Sequence, residues 1–130
     1  MDDASVFGLV LWTTDIGALA GFLQQVAGMT VVDVHPGYAS LRAGATGIAL
    51  HADESYRGHP WYDALHREGA ARGIGAELRV RVVDVAEAYA TALRLGGLAV
   101  QPPYDDGGIR ECEVMGPDGY LITLWSEAGE

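Results

Sequence analysis

The sequence predicts an α+β fold built from two βαβββ modules, and three observations carry that prediction. An aspartate-started, glycine-closed amphipathic helix occurs twice, with Asp84 following Asp15 and Gly97 following Gly28 by the same 69 residues (84 − 15 and 97 − 28). A β-rich apolar segment precedes each helix, and short β-rich segments separated by turn signals follow it. The chain has 130 residues, 49% of them hydrophobic and 20% charged, which fits one globular domain of two half-sized modules.

Taken in order, Val6 to Trp12 is apolar and β-rich and reads as the first strand. Thr14-Asp15 then opens a helix whose Ile16, Leu19, Phe22, Leu23 and Val26 recur at helical spacing. A short acceptor side chain at the start satisfies the free N–H groups of the first turn, and Gly28 can take the left-handed conformation that ends it. Met29 to Val34, Tyr38 to Ala43 and Gly47 to Ala52 follow as strands, divided by His35-Pro36-Gly37 and Gly44-Ala45-Thr46. Residues 1–52 form the first module, and 53–75 a polar, aromatic linker with a helix over Pro60 to Ala71. Residues 76–130 form the second module: a strand over Glu77 to Val83, a helix from Asp84 through Val85, Ala88, Tyr89, Ala92 and Leu95 to Gly97, and a strand over Leu98 to Val100. The turn-rich stretch Pro102 to Gly108 follows, then strands over Ile109 to Met115 and Tyr120 to Trp125, separated by Gly116-Pro117-Asp118-Gly119.

Charge narrows the function. Eight cations, all arginine and scattered between Arg42 and Arg110, face 18 carboxylates, for a net charge of −10. That distribution argues against a nucleic-acid partner, which rewards clustered cations. No apolar run reaches membrane-spanning length and the start Met1-Asp2-Asp3 lacks the basic region of a signal peptide, so a cytoplasmic protein is expected. The single cysteine, Cys112, admits no internal disulfide. Gly73-Ile74-Gly75 precedes a strand instead of opening a helix and so lacks the context of a phosphate loop.

With Gly-Pro-Asp-Gly-Tyr-Leu-Ile-Thr-Leu at 116–124, the duplicated strand-Asp-helix-Gly unit resembles the vicinal oxygen chelate superfamily, which includes glyoxalase I, extradiol dioxygenases, fosfomycin-modifying enzymes and bleomycin resistance proteins. The resemblance spans nearly the whole chain and is strongest over Gly73 to Leu124. It implies a U-shaped, partly closed mixed sheet around a cavity, with the helices on the outer face. It also implies that the residue seven before each capping aspartate faces the cavity. Strand alternation then turns Gly8, Val10 and Trp12 inward in one module and Glu77, Arg79 and Arg81 in the other, with Gly47, Ala49, His51, Leu121, Thr123 and Trp125 inward on the closing strands.

Metal-dependent members of that superfamily take His, Gln or Glu ligands from these positions. Here they are Gly8, Glu77, Thr123 and Ala49, a set with one acid, so no metal site is expected. A divalent metal at a non-standard site using His51 and Glu77 is the alternative. The resemblance then leads toward members that sequester drugs in aromatic, metal-free pockets, often as homodimers.

The expected ligand-binding set is Val10, Trp12, His51, Trp61, Tyr62, Glu77, Arg79, Arg81, Tyr104, Leu121, Thr123 and Trp125, with Tyr56 a further stacking candidate. Glu77 reads first as an ion-pair partner of Arg79, second as a ligand-binding acid, third as a base. Glu111 and Glu113 share one side of their strand, and alternation leaves open which side faces the cavity. His35, His59 and His66 read as turn or solvated histidines. The functional expectation is a metal-free, homodimeric protein that binds and sequesters an aromatic antibiotic or metabolite, without a cofactor, nucleic acid or membrane. The alternatives are an enzyme of the same superfamily, either a metal-dependent lyase, dioxygenase or transferase or a metal-free isomerase or cyclase, and a structural or regulatory domain.

Overall fold

Local capping sets the two long helices. In the computed structural model, which describes residues 7–68 and 72–128, the Asp15 carboxylate accepts from the Ala18 N–H at 3.0 Å and starts α1 (Ile16–Ala27). Asp84 does the same for α3 (Val85–Arg94) through the Glu87 N–H. Such caps each stabilise a helix by about 1 kcal/mol. Gly28 ends α1 in the left-handed region at φ 70°, as expected. At the end of α3 the expectation is displaced by one residue: Gly96, not Gly97, is left-handed (φ 92°). The N–H groups of Gly96 and Gly97 close back on Leu93 and Ala92, a Schellman arrangement. Gly97 is needed for space, because a Cβ there would lie 2.9 Å from the Ala92 carbonyl oxygen and 3.1 Å from the Phe22 ring.

The strands are β1 (Val10–Thr13), β2 (Thr30–His35), β3 (Tyr38–Ala43) and β4 (Thr46–Ala52), then β5 (Glu77–Arg81), β6 (Leu98–Asp106), β7 (Ile109–Met115) and β8 (Leu121–Glu127). They form two four-stranded mixed sheets ordered β1-β4-β3-β2 and β5-β8-β7-β6. In each, the first strand runs parallel to the last and the remaining neighbours are antiparallel. The two βαβββ modules therefore repeat in topology as well as in sequence.

Between them lie a 3₁₀ turn (Asp53–Tyr56) and α2 (Pro60–Glu68). The end of that helix expected at Ala71 falls outside the described residues, as does Val6, and the first strand expected from Val6 begins only at Val10, with residues 7–9 outside it. The stretch expected as a loop over 102–108 is mostly strand: β6 runs through Pro102 and Pro103 to Asp106, and only Gly107 and Gly108 turn. Prolines survive there because β6 is an edge strand with register shifts on either side of Gln101, where a missing N–H costs no ladder bond.

The core lies between the helices and one face of each sheet. Leu19 and Leu23 of α1 and Leu41 and Leu50 of the first sheet are fully buried, as are Ala92, Cys112, Val114, Ile122 and Leu124 of the second module. Burial pushes the Cys112 thiol up to about 11. No helix among the described residues is long and apolar enough to cross a membrane.

β1 and β5 are edge strands of different sheets, so side chains must join the modules. Phe22 of α1 packs where a Cβ on Gly97 or Gly116 would meet its ring. Asp118, left-handed at φ 63°, accepts from the Thr13 hydroxyl at 2.6 Å and the Thr14 hydroxyl at 2.8 Å. Tyr120 donates its hydroxyl to the Trp12 carbonyl at 2.6 Å. At the centre, Arg72 holds Asp53 through two contacts of 2.7 and 2.6 Å, donates to the Trp12 carbonyl at 3.1 Å and lies 3.9 Å from Asp118. The side chains of Arg72 and Asp53 are 11% and 3% exposed, so their charges are largely removed from water and must satisfy one another. Gly73 lets this segment approach, since a Cβ there would sit 2.1 Å from the Gly119 carbonyl oxygen.

Removing Arg72 leaves a buried carboxylate, so Arg72→Ala is expected to lower stability by about 3 kcal/mol in urea unfolding, with Arg72→Lys intermediate. The Arg72 guanidinium holds the Asp53 carboxyl below its ordinary value of 3.8. A depressed pKa contributes stability that is present above the unfolded value and is lost as pH falls through the folded one. Melting temperature should therefore drop steeply below about pH 3.8, and less steeply in Asp53→Asn, whose starting stability is already reduced. Cys112 should resist a disulfide-exchange reagent in the folded protein and react at the global unfolding rate, and rapid native labelling would contradict its burial.

Candidate functional site

Pairing settles which side chains share a face. Glu77, Arg79 and Arg81 stand opposite Leu121, Thr123 and Trp125 across the β5–β8 ladder, and Val10 and Trp12 stand opposite Ala49 and His51 across β1–β4. Glu111 and Glu113 pair with Trp125 and Thr123, which puts both on that same non-core face, while Cys112 faces the helices. The question alternation left open is thereby answered.

A cleft of about 570 Å³ opens between the edges of the two modules. Its walls come from Leu9 to Trp12 of the first module, from Glu77, Leu78 and Leu121 of the second, and from Trp61, Ala64 and Leu65 of α2. Five of the expected residues, Val10, Trp12, Trp61, Glu77 and Leu121, meet here. Trp61 is 72% exposed at the mouth. Arg72 and Tyr120 also line the cleft, with their polar atoms engaged as described above. Burial raises the Tyr120 phenol pKa.

Trp12 is held in place by neighbouring rings. Tyr56 stacks on its indole with ring centroids 3.7 Å apart and planes 13° apart, and His59 meets it edge-on at 5.5 Å. The Tyr56 hydroxyl shares a 2.7 Å hydrogen bond with His51 Nδ1. His51 thus supports the Trp12 wall from behind and does not line the cleft. Tyr62 likewise lies elsewhere, stacked on His66 at 4.4 Å under Arg57. His66 contacts Asp53 at 3.0 Å, so the expectation of a solvated side chain is corrected for it: its imidazole joins the Arg72–Asp53 pair. His59 accepts from the Trp61 N–H at 3.0 Å at the start of α2, a second departure from a purely solvated reading.

A neighbouring cleft of about 590 Å³ holds Glu77, Arg79, Arg81 and Trp125, with Leu9, Ile48 and Met29 on the first-module side. Trp125 lies beneath two guanidinium groups, Arg81 at 5.1 Å and Arg79 at 6.0 Å from its ring centre. Arg79 bridges Glu77 at 3.5 Å and Glu111 at 3.3 Å. Thr123, fully buried, donates to Glu77, and Tyr104 donates to Glu111. Tyr104 therefore stands on β6 in a polar chain with Glu111, Arg79, Glu77 and Thr123, and not in a loop. Its hydrogen bond to the Glu111 carboxylate holds the phenol proton and pushes its pKa up to about 12.

The positions that the sequence resemblance assigns to a metal are Gly8, Ala49, Thr123 and Glu77, and the one carboxylate among them is engaged by Thr123 and Arg79. Among the described residues no three His, Cys, Asp or Glu side chains gather in a metal-holding arrangement. This donor set does not fit the superfamily's ion.

Sequence reading missed Arg72, Asp53 and Leu65. The first two are 19 residues apart, and only the folded linker brings them together. Leu65 shares a helix face with Trp61 at a spacing of four, a signal present in the sequence but not distinctive.

No protein-family model matches the sequence, and comparison with curated proteins finds no match. Solved structures do match. A glyoxalase/bleomycin resistance protein/dioxygenase family enzyme from Burkholderia phytofirmans PsJN is 22% identical, with 95% of this chain and 99% of that one covered and a TM-score of 0.75. A glyoxalase/bleomycin resistance protein/dioxygenase from Nocardioides is 21% identical over 100% of this chain and 88% of that one (TM-score 0.66). TioX from Micromonospora sp. ML1 is 23% identical over 97% and 98% (TM-score 0.65). The chain has the fold of the vicinal oxygen chelate superfamily that its sequence resembles.

If Tyr56 fixes the Trp12 wall, a double-mutant cycle on Trp12→Leu and Tyr56→Leu should give a coupling of about 1 kcal/mol in chemical unfolding. Additive effects would show that the stack contributes nothing.

Proposed function

We propose that the protein binds an aromatic small molecule in the cleft between its modules and sequesters it unchanged, without a metal. The observation that carries this reading is the cleft itself: Trp12 braced by Tyr56 on one side, Trp61 exposed at the mouth, and Leu9, Leu11, Leu65 and Leu121 between them. Apolar, aromatic walls with few polar groups are the usual composition of a small-molecule site, and a pre-stacked indole loses little freedom on binding. The four positions expected to hold a metal, Gly8, Ala49, Thr123 and Glu77, support a metal-free role, since they supply one carboxylate that is already engaged. Two of the structural neighbours carry bleomycin resistance in their names, in keeping with capture of an antibiotic or related metabolite. A cytoplasmic homodimer completes the proposal. The exposed second-sheet face around Arg79, Arg81 and Trp125 is a surface that a second copy would cover.

Native mass spectrometry with metal analysis of chelator-free protein tests the reading. A metal-free dimer that accepts an aromatic compound and releases it unaltered is the expected result. Near-stoichiometric iron, manganese, nickel or zinc, or chemical turnover of the compound, would favour an enzyme instead.

A further inference from the structure

We propose that the cleft selects a planar aromatic cation, with Glu77 Oε1 as the acceptor for the ligand's charged N–H; this rests on the cleft being the binding site. Glu77 lines both the aromatic cleft and its polar neighbour and so stands where the two join. Its partners engage a single oxygen: the Thr123 hydroxyl donates to Oε2, and Arg79 lies 3.5 Å from that same atom. No hydrogen bond to Oε1 forms among the described residues, and the Glu77 side chain is 38% exposed. The cleft therefore presents one carboxylate oxygen, held at a fixed position by Thr123, beside the surfaces of Trp12, Trp61 and Leu121.

The surrounding charges favour a cation over an anion. Arg72, the guanidinium that lines this cleft, is matched by Asp53 at 2.6 Å and Asp118 at 3.9 Å. Arg79 is shared between Glu77 and Glu111. An anion entering the cleft would approach Glu77 while the nearby guanidinium groups are already engaged. A cation gains a charge-assisted hydrogen bond from Oε1, contact with indole faces, and attraction from a protein of net charge −10. The ligand class is thus a flat ring system bearing a protonated amine or ring nitrogen.

Proflavine, a planar cation at neutral pH, and acridine, its uncharged counterpart, are suitable probes for the full chain, read by fluorescence polarisation and by calorimetry. Proflavine is expected to bind roughly tenfold more tightly than acridine, the scale of one charge-assisted hydrogen bond. Glu77→Gln should abolish most of that preference. Its amide oxygen still accepts from Thr123, so an unchanged melting temperature separates lost recognition from misfolding. Trp61→Ala, at a surface position, should weaken both dyes. Equal affinities for the two dyes, or a preference that survives Glu77→Gln, would overturn the cation anchor and leave the cleft as an aromatic site. Binding of neither dye, or binding untouched by Trp61→Ala, would overturn both the anchor and the cleft reading.

Discussion

The Arg72 guanidinium joins two half-domains whose sheets share no ladder among the described residues. β1 and β5 each offer an unpaired edge, and a backbone edge left to itself invites pairing with whatever approaches. Arg72 ties the end of β4 through Asp53, the β1 backbone through the Trp12 carbonyl, and the turn before β8 through Asp118. A buried cation is costly without partners, and Arg72 has two hydrogen-bond acceptors, Asp53 and the Trp12 carbonyl, with Asp118 as a further ion-pair partner. One planar fork with several fixed donors meets that demand better than the point charge of a lysine.

The cleft is a consequence of this arrangement. Arg72 follows α2 and draws the linker against the first module, which carries Trp61 and Leu65 over the gap between β1 and β5. Gly73 permits the approach by having no side chain where the Gly119 carbonyl lies. The Asp118 conformation that places its carboxylate on Thr13 and Thr14 belongs to the same turn. Cleft walls and module lock thus share residues.

Chemically, the cleft is the outcome of pairings made elsewhere. The non-core face of the second sheet reads in sequence as an alternation of acids and arginines, yet Thr123, Glu77, Arg79, Glu111 and Tyr104 join in one chain of contacts. That chain uses most of the polarity of the face internally. What that chain leaves unused is the apolar wall of the cleft and the second oxygen of Glu77.

The repeat of capped helices, the strand order and the inward and outward alternation were legible in the sequence, because capping, period and turn chemistry are local properties that each segment carries with it. Alternation, anchored by the family resemblance, turned Val10 and Trp12 of one module and Glu77 and Leu121 of the other inward, and the four line one cleft. Locality also set the limits of that reading. The two prolines of β6 indicate a loop until the strand is known to be an edge, which is a property of the sheet. Tyr56, His51 and Tyr62 look equivalent as linker or strand aromatics, and only the packing assigns the first two to brace Trp12 and the third to His66. The meeting of Arg72 with Asp53 and Asp118 was decided by tertiary structure alone, since no sequence period relates residues brought together by the closing of a linker over two sheets.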